Sequence, residues 1–395
     1  MRQASGDLFP TDIPIPASQM IGRREDVREV ALALMGATNL VMAGPRRTGK
    51  TSVCEAALNE CRRQGTYTVH LDLFRIPDAI VLAETLALAV LANRSAAHRL
   101  VRHARDLGRA ALSTAQAAAV LKLHSQLGEG IELAMTPGWA SRSPQQALEL
   151  ALALPERIAA ADGKRLILFF DEFQELAGER HPYGDPDQLT KQMRAVFQRS
   201  SNVSYLFAGS IEQVVRDLFA PQQRAFSGFG SFHRLRPITA EEWSEGLSER
   251  FAADNCTITT TALDRLIELG SGHPRATMRI SQQTHLASVQ LESRTIGLDL
   301  VELGYRAALA GDLPTMEQTI EQIRRLHKNA LLVARAIAAG QSPPRRLSPA
   351  VRDRVLKLLL TAGIVEHLSR GNWQITNPLL REYLRNFDPG SGMKV

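Results

Sequence analysis

The chain of 395 residues has little lysine, cysteine or aromatic content. Only seven of its 47 basic residues are lysine, so the formal net charge of +6 rests on arginine, the side chain suited to phosphate and nucleic-acid contacts. An arginine-rich background composition accounts for most of them equally well. Three cysteines, Cys54, Cys61 and Cys256, leave an odd number and no metal-ligand spacing. Cys54 and Cys61 stand two turns apart on one expected helix, too far to bridge. A disulfide framework is excluded, and a reducing, cytoplasmic setting is expected. Long hydrophobic runs are also missing. The most apolar stretch, "AIVLAETLALAVLANR", is broken by Glu84, and the opening "MRQASGDLFPTDIPIP" lacks the apolar core of a signal peptide. A membrane partner is therefore not expected, and a soluble protein of two or three domains is.

What is present is an alternation of strand and helix signals. An extended, proline-rich lead-in over residues 1–20 precedes the helical "MIGRREDVREVALAL". The apolar runs "NLVMAG", "YTVHLDLF", "RLILFFDEF" and "VSYLFAGS" read as buried strands, and "HRLRPI", after the glycine-rich "FSGFGSF", reads as a last one. Near-continuous apolar strands separated by helices predict an α/β fold, a parallel sheet flanked by helices, over residues 21–238. A long helical insertion is expected at about residues 77–164, a helical lid over residues 239–326, and then "NALLVARAIAAG", "SPAVRDRVLKLLLTAG" and a short hairpin. Helix, helix, hairpin over residues 327–395 is a winged helix-turn-helix pattern.

The chemistry is concentrated in "GPRRTGKTS". It fits G-x-x-x-x-G-K-[ST] through Gly44, Gly49, Lys50 and Thr51, with a strand before it and a helix after. Glycines let the backbone wrap phosphates, and amides at a helix N-terminus face the anion. Pro45, Arg46, Arg47 and Thr48 form the loop and Ser52 follows it. A lysine at a helix N-terminus opposes the macrodipole, so an ordinary turn has no use for Lys50. Its expected role is at the β- and γ-phosphates, while the Thr51 hydroxyl binds Mg²⁺. "LILFFDEF" places Asp171 at the carboxyl edge of a buried strand, where sheet ligands sit, as the second metal-holding group. Glu172 beside it is the expected catalytic base for water. His181, His233 and His273 lack partners at metal-ligand spacing, and packing or surface roles are expected of them.

With these motifs the chain resembles the AAA+/STAND-type P-loop ATPases, close to their archaeal-type and replication-initiator branches. "MIGRREDV", "GPRRTGKTS", "LILFFDEF", "YLFAGS" and "SGHPRAT" carry the resemblance, in that order, from Ile21 to about Gln290. The resemblance implies that Ile21, Gly22 and Arg23 pack on adenine, and that Ser210 is a polar sensor of the γ-phosphate, where relatives prefer asparagine or threonine. It also implies that Arg275 is the lid arginine on the β- and γ-phosphates and a catalytic group. An arginine finger from a neighbouring subunit, and hence a homo-oligomer, follows from the family's ring logic. Arg224, Arg234 and Arg236 lie in the region where a finger is expected. ATP rather than GTP follows from the resemblance and from the lack of an [NT]-K-x-D signature.

The expectation is an ATP-binding, Mg²⁺-dependent ATPase acting as a nucleotide-driven switch on a DNA or protein partner. Arg354 and Lys357, on the second helix of the C-terminal module, and Arg370, at the wing, are the phosphate-contacting candidates for double-stranded DNA. The same helix is rich in leucine, which fits interdomain packing as well. The insertion, with its basic "HRLVRHARDLGRA", offers a face to protein partners or nucleic acid. The alternatives are a nucleotide-gated DNA-binding protein with negligible turnover, such as an initiator, a transposition-type loader or a regulator, and a protein-interaction scaffold.

Overall fold

The computed structural model describes residues 4–11, 13–44, 47–94, 125–126, 143–177, 185–209, 219, 226–369 and 372–386. Five parallel strands form one sheet: β1 (Leu40–Ala43), β2 (Tyr67–Asp72), β3 (Leu166–Asp171), β4 (Val203–Gly209) and β5 (Ser231–His233). Their spatial order is β2-β3-β4-β1-β5, so β4 lies between the two motif-bearing strands β1 and β3.

Period-two alternation divides the apolar residues of the central strands between two cores. Leu166, Leu168 and Phe170 of β3, with Tyr205 and Phe207 of β4, face a core covered by α3 (Ala79–Leu91), α4 (Pro144–Asp162) and α5 (Pro186–Phe197). Ile167, Phe169, Leu206 and Met42 face the other, covered by α1 (Arg24–Met35) and α2 (Lys50–Arg63). The scarce aromatics gather on the first face: Phe173 contacts the rings of Phe170, Phe207, Phe219 and Phe226 at centroid distances of 4.6–6.0 Å. Packed rings at such separations contribute beyond their buried area. They anchor the segment that follows Asp171.

α3 and α4 are the described ends of the expected insertion, and the basic "HRLVRHARDLGRA" lies outside the described residues. Arg94 and Asp162 clamp the base of this excursion, with Arg94 Nε donating to Asp162 Oδ2 at 2.6 Å. Ser143 and Gln146 close a capping box that starts α4.

The last strand differs from expectation. β5 starts at Ser231 and ends at His233, and Arg234 to Ile238 are not strand. Register is set upstream, where the Ser231 amide donates to the Asn39 carbonyl at 2.9 Å, and Gly230 packs so closely that a Cβ would stand 2.9 Å from Val41 Cγ2.

Beyond the sheet, α6 (Ala240–Ala253), α7 (Thr260–Gly270), α8 (Pro274–Gln290) and α9 (Leu298–Leu326) form the helical lid. Two short parallel strands, β6 (Thr257–Ile258) and β7 (Thr295–Ile296), which sequence periodicity does not reveal, staple the ends of α6 and α8. α10 (Ala330–Ala338), α11 (Pro349–Thr361), the antiparallel hairpin β8 (Val365–Ser369) and β9 (Asn372–Ile375), and α12 (Pro378–Asn386) follow among the described residues. Lid and C-terminal module share one continuous apolar core, from Trp243 and Leu266 through Ile320 to Leu359 and Tyr383.

The lead-in is not simply extended. Ser5–Leu8 make a helical turn, and Leu8 and Phe9 enter the lid core, with the Phe9 ring tilted against Phe251 at a centroid distance of 4.8 Å. No helix among the described residues is long and apolar enough to cross a membrane.

Candidate functional site

β1 ends at Ala43, and the chain re-enters helix at Lys50 through Gly49, the α2 N-cap, whose φ of +92° is glycine territory. Gly44 is different: a Cβ there would meet only Lys50 Cδ, at 4.0 Å. The loop also holds Arg47 in the left-handed region at φ +64°, an unusual state for a side-chain-bearing residue. Pro45 and Arg46 lie outside the described residues. Lys50 is buried, and its Nζ donates to the Gly44 carbonyl at 2.8 Å, which draws the ammonium back across its own loop.

The second motif meets the first across the sheet edge. Thr51 Oγ1 donates to Asp171 Oδ2 at 2.8 Å, and the Glu172 amide donates to Asp171 Oδ1 at 2.9 Å. Burial pushes the Asp171 pKa up, but the neighbouring His70 and hydrogen bonds from Thr51 and the Glu172 amide outweigh it and leave the carboxyl below its ordinary value. His70, on β2, lies 3.8 Å from Asp171 Oδ2 and 3.4 Å from Glu55 Oε1, stacked on the Phe169 ring. Nothing in the sequence pattern singles out this imidazole, because only strand pairing brings it beside β3. Glu172 sits at φ +51°, and Gln174 donates to its carboxylate.

A cleft of about 500 Å³ joins these groups to the lid. Arg47, Gly49, Lys50, Thr51, Ser52, Asp171 and Glu172 line its sheet side, and Pro274, Arg275 and Met278 its lid side. Arg275 lines the cleft and its guanidinium is paired: Nη1 bonds Asp312 Oδ2 at 2.7 Å, and Arg279 Nε lies 3.3 Å from Asp312 Oδ1. Asp312 on α9 therefore holds two lid arginines.

The third wall is a surprise of the fold. Pro10, Thr11, Ile13, Pro14 and Ile15 of the lead-in border the cleft, and the Ile15 amide donates to Ser52 Oγ at 3.1 Å. Ile21 and Gly22 do not border it. They line a separate cavity of about 750 Å³ with Arg236, Glu242 and Gly246. Gly22, at φ +63°, is required there, since a Cβ would lie 2.7 Å from Ile238 Cγ2. Arg23 is a brace: buried, paired with Asp26 at 3.2 Å, bonded to the Arg236 carbonyl, and donating to the Thr48 carbonyl at 3.3 Å from behind the phosphate loop.

Ser210, Arg224, His181 and Arg370 lie outside the described residues. β4 brings Gly209, the residue before Ser210, into register with Ala43, the residue before the loop. Arg236 is engaged within the chain, bonded to Glu242 at 2.6 and 3.0 Å and to the Gly22 carbonyl, whereas Arg234 is exposed. His233 lies 3.8 Å from Asp26, and His273 caps α8 by accepting from the Ala276 amide. Arg354 and Lys357 are exposed on α11.

The strand order, the loop between β1 and α2 and the acidic edge of β3 make this an α/β P-loop fold, a parallel sheet flanked by helices and followed by a helical lid. Among solved structures the chain is similar to a Walker-type ATPase of Pyrococcus abyssi, with 16% identity, 96% of this chain and 99% of that one covered, and a TM-score of 0.69. It is also similar to the ORC2 protein of Aeropyrum pernix, solved as ADPNP–ADP complexes, with 14% identity, 97% and 96% covered, and a TM-score of 0.59. No protein-family model matches the sequence. A comparison with curated proteins gave no match.

Proposed function

We propose that the protein binds ATP with Mg²⁺ in the cleft between sheet and lid, hydrolyses it, and uses the nucleotide state to reposition its lid and C-terminal module. The observation that carries this reading is the 2.8 Å bond between Thr51 and Asp171, which brings a hydroxyl and an ionised carboxylate together beside Lys50. Hard oxygen donors of that kind suit Mg²⁺, and the depressed carboxyl of Asp171 is ready to hold a cation without first losing a proton. Bound there, the cation would neutralise charge on the β- and γ-phosphates. The similarity to a fold solved in ADPNP–ADP complexes supports a nucleotide ligand.

Each residue then has a task. The amides of the loop and of the α2 N-terminus hold the phosphates, and Lys50 leaves the Gly44 carbonyl for them. Glu172, turned by its left-handed backbone and steadied by Gln174, orients water and takes its proton. Arg275 closes from the lid, with Asp312 as its resting partner. Ile13, Ile15 and Met278, which line the cleft, supply the apolar surface for the base. Because lid and C-terminal module share one core, closure carries α11 along.

Titration of the full chain with ATP and Mg²⁺ tests the reading. Lys50→Ala is expected to weaken binding at least about 100-fold, the scale for losing a directed charge on phosphate. Unchanged affinity overturns it.

The second reading, a nucleotide-gated DNA-binding protein, is favoured by Arg354 and Lys357 standing exposed on one helix. Its test is a salt titration of duplex affinity with and without ATP. Removing one phosphate-contacting side chain should lower the salt slope by about one. Protein partners bound through the insertion are the remaining outcome of that experiment.

A further inference from the structure

A second cluster of reactive side chains lies inside the lid, away from every group assigned above. Asp254 and Cys256 flank Asn255, whose φ is +56°, in a turn at the end of α6. The turn is fixed by amide bonds from Asp254 and Cys256 to the Phe251 carbonyl, at 3.2 and 3.0 Å, and from Asn255 to the Ala252 carbonyl, at 2.8 Å. Carboxylate and thiol thus enter the lid from one rigid turn. His285, fully buried in the middle of α8, meets them with Nε2 3.0 Å from Asp254 Oδ2. Donor atoms of all three residues lie within 4.8 Å of one another.

We propose that Asp254, Cys256 and His285 form a transition-metal site of the zinc class. Thiolate, imidazole and carboxylate are the donors that select zinc or cobalt over magnesium. Donors around four-coordinate zinc lie roughly 3.3–3.8 Å apart, so the triad needs to contract by about 1 Å. Thiolate and carboxylate together cancel the charge of a divalent ion; binding releases the thiol proton. The other ring nitrogen of His285 is already served: Nδ1 lies 2.8 Å from Ser5 Oγ. A hydroxyl both donates and accepts, so Ser5 can donate to Nδ1 while Nε2 carries the proton toward Asp254, and accept from Nδ1–H once Nε2 ligates the metal. Such an outer partner is what metal-binding histidines use to fix their tautomer. Arg294, 3.6 Å from the Asp254 carboxylate and bonded to its carbonyl, holds the acid from the solvent side. Water completes the coordination, since no fourth protein ligand joins the cluster among the described residues. The site joins the lid to the first described residues of the chain, and it stands whether or not the cleft binds ATP.

The test is titration of the metal-free full chain with Co²⁺ in the absence of nucleotide. Expected are a saturable thiolate-to-cobalt charge-transfer band and visible absorption of a low-coordinate ion, both displaced by zinc. C256S should lose the band, C54S and C61S should keep it, and S5A should weaken cobalt binding roughly 10-fold. Zinc should raise the unfolding temperature of the wild-type chain but not of C256S. Wild-type protein that gives no thiolate band at saturating cobalt overturns the proposal, as does a band that survives in folded C256S. The wild-type titration decides this even where a variant fails to fold.

Discussion

On the sheet side of the cleft, the groups that would handle phosphate and metal come from two short contiguous runs, Gly49 to Ser52 and Asp171–Glu172, each fixed by the end of a buried strand. On the lid side the wall is assembled from separate segments. Arg275 depends on Asp312, 37 residues further along, and the wall beside it is a piece of the lead-in that reaches Ser52 from Ile15. The sheet side therefore has its geometry imposed by backbone, and the lid side by tertiary pairing. Pairing of that kind can be exchanged for a ligand, whereas strand register cannot. Arg275 has a carboxylate to leave and to return to.

This contrast can be broken in graded ways. The largest expected effect is on the sheet side, where Glu172→Gln should lower ATP turnover by about 10²- to 10⁴-fold while leaving equilibrium ATP binding unchanged, as read by single-turnover kinetics beside a binding titration. Next comes the lid pairing. Asp312→Ala leaves the partly buried Arg275 and Arg279 without their shared carboxylate, a loss of about 1–3 kcal/mol in a denaturant titration. Should that variant unfold, Asp312→Asn, which keeps the shape, should still show a lowered midpoint. Ser52→Ala removes the acceptor of the Ile15 amide and should cost about 1 kcal/mol locally, seen as roughly 5-fold faster hydrogen exchange at Ile15.

The smallest effect lies at the base of the insertion and depends on pH. Burial raises the Asp162 pKa, but the fork of Arg94 and the Tyr67 hydroxyl more than offset it, so the folded value lies below the ordinary 3.8. A depressed carboxyl stabilises the fold above its unfolded pKa and stops doing so as pH falls through the folded one. The difference in unfolding temperature between wild type and Asp162→Asn should therefore be full near neutrality and shrink as pH drops below about 4.

Legibility in the sequence followed the same division. The phosphate loop and the acidic strand end could be read because their chemistry demands particular residues at fixed spacing in one segment, and the sheet because its strands are apolar throughout. β5 was placed too late, since "HRLRPI" alternates like a strand while the actual register is set by Asn39 and the tight packing of Gly230. β6 and β7, at two residues each, are too short to show a period. The resemblance sets Arg23 against adenine, whereas the fold buries it and bonds it to the carbonyls of Thr48 and Arg236, which come from distant segments. The Arg275–Asp312 pair, the cleft lining by Ile13 and Ile15, and the meeting of Ser5, Asp254 and His285 have no sequence signal at all. They exist only once the lid has folded.

The lead-in fastened at both ends sets a mechanical limit. Phe9 is held in the lid core while the Ile15 amide is held on α2, and six residue steps of chain span at most about 20 Å. Sheet and lid are thus leashed by a fixed length of chain rich in proline. They can swing apart only until that length is taut, and any wider gape must first break the hydrogen bond of the Ile15 amide to Ser52.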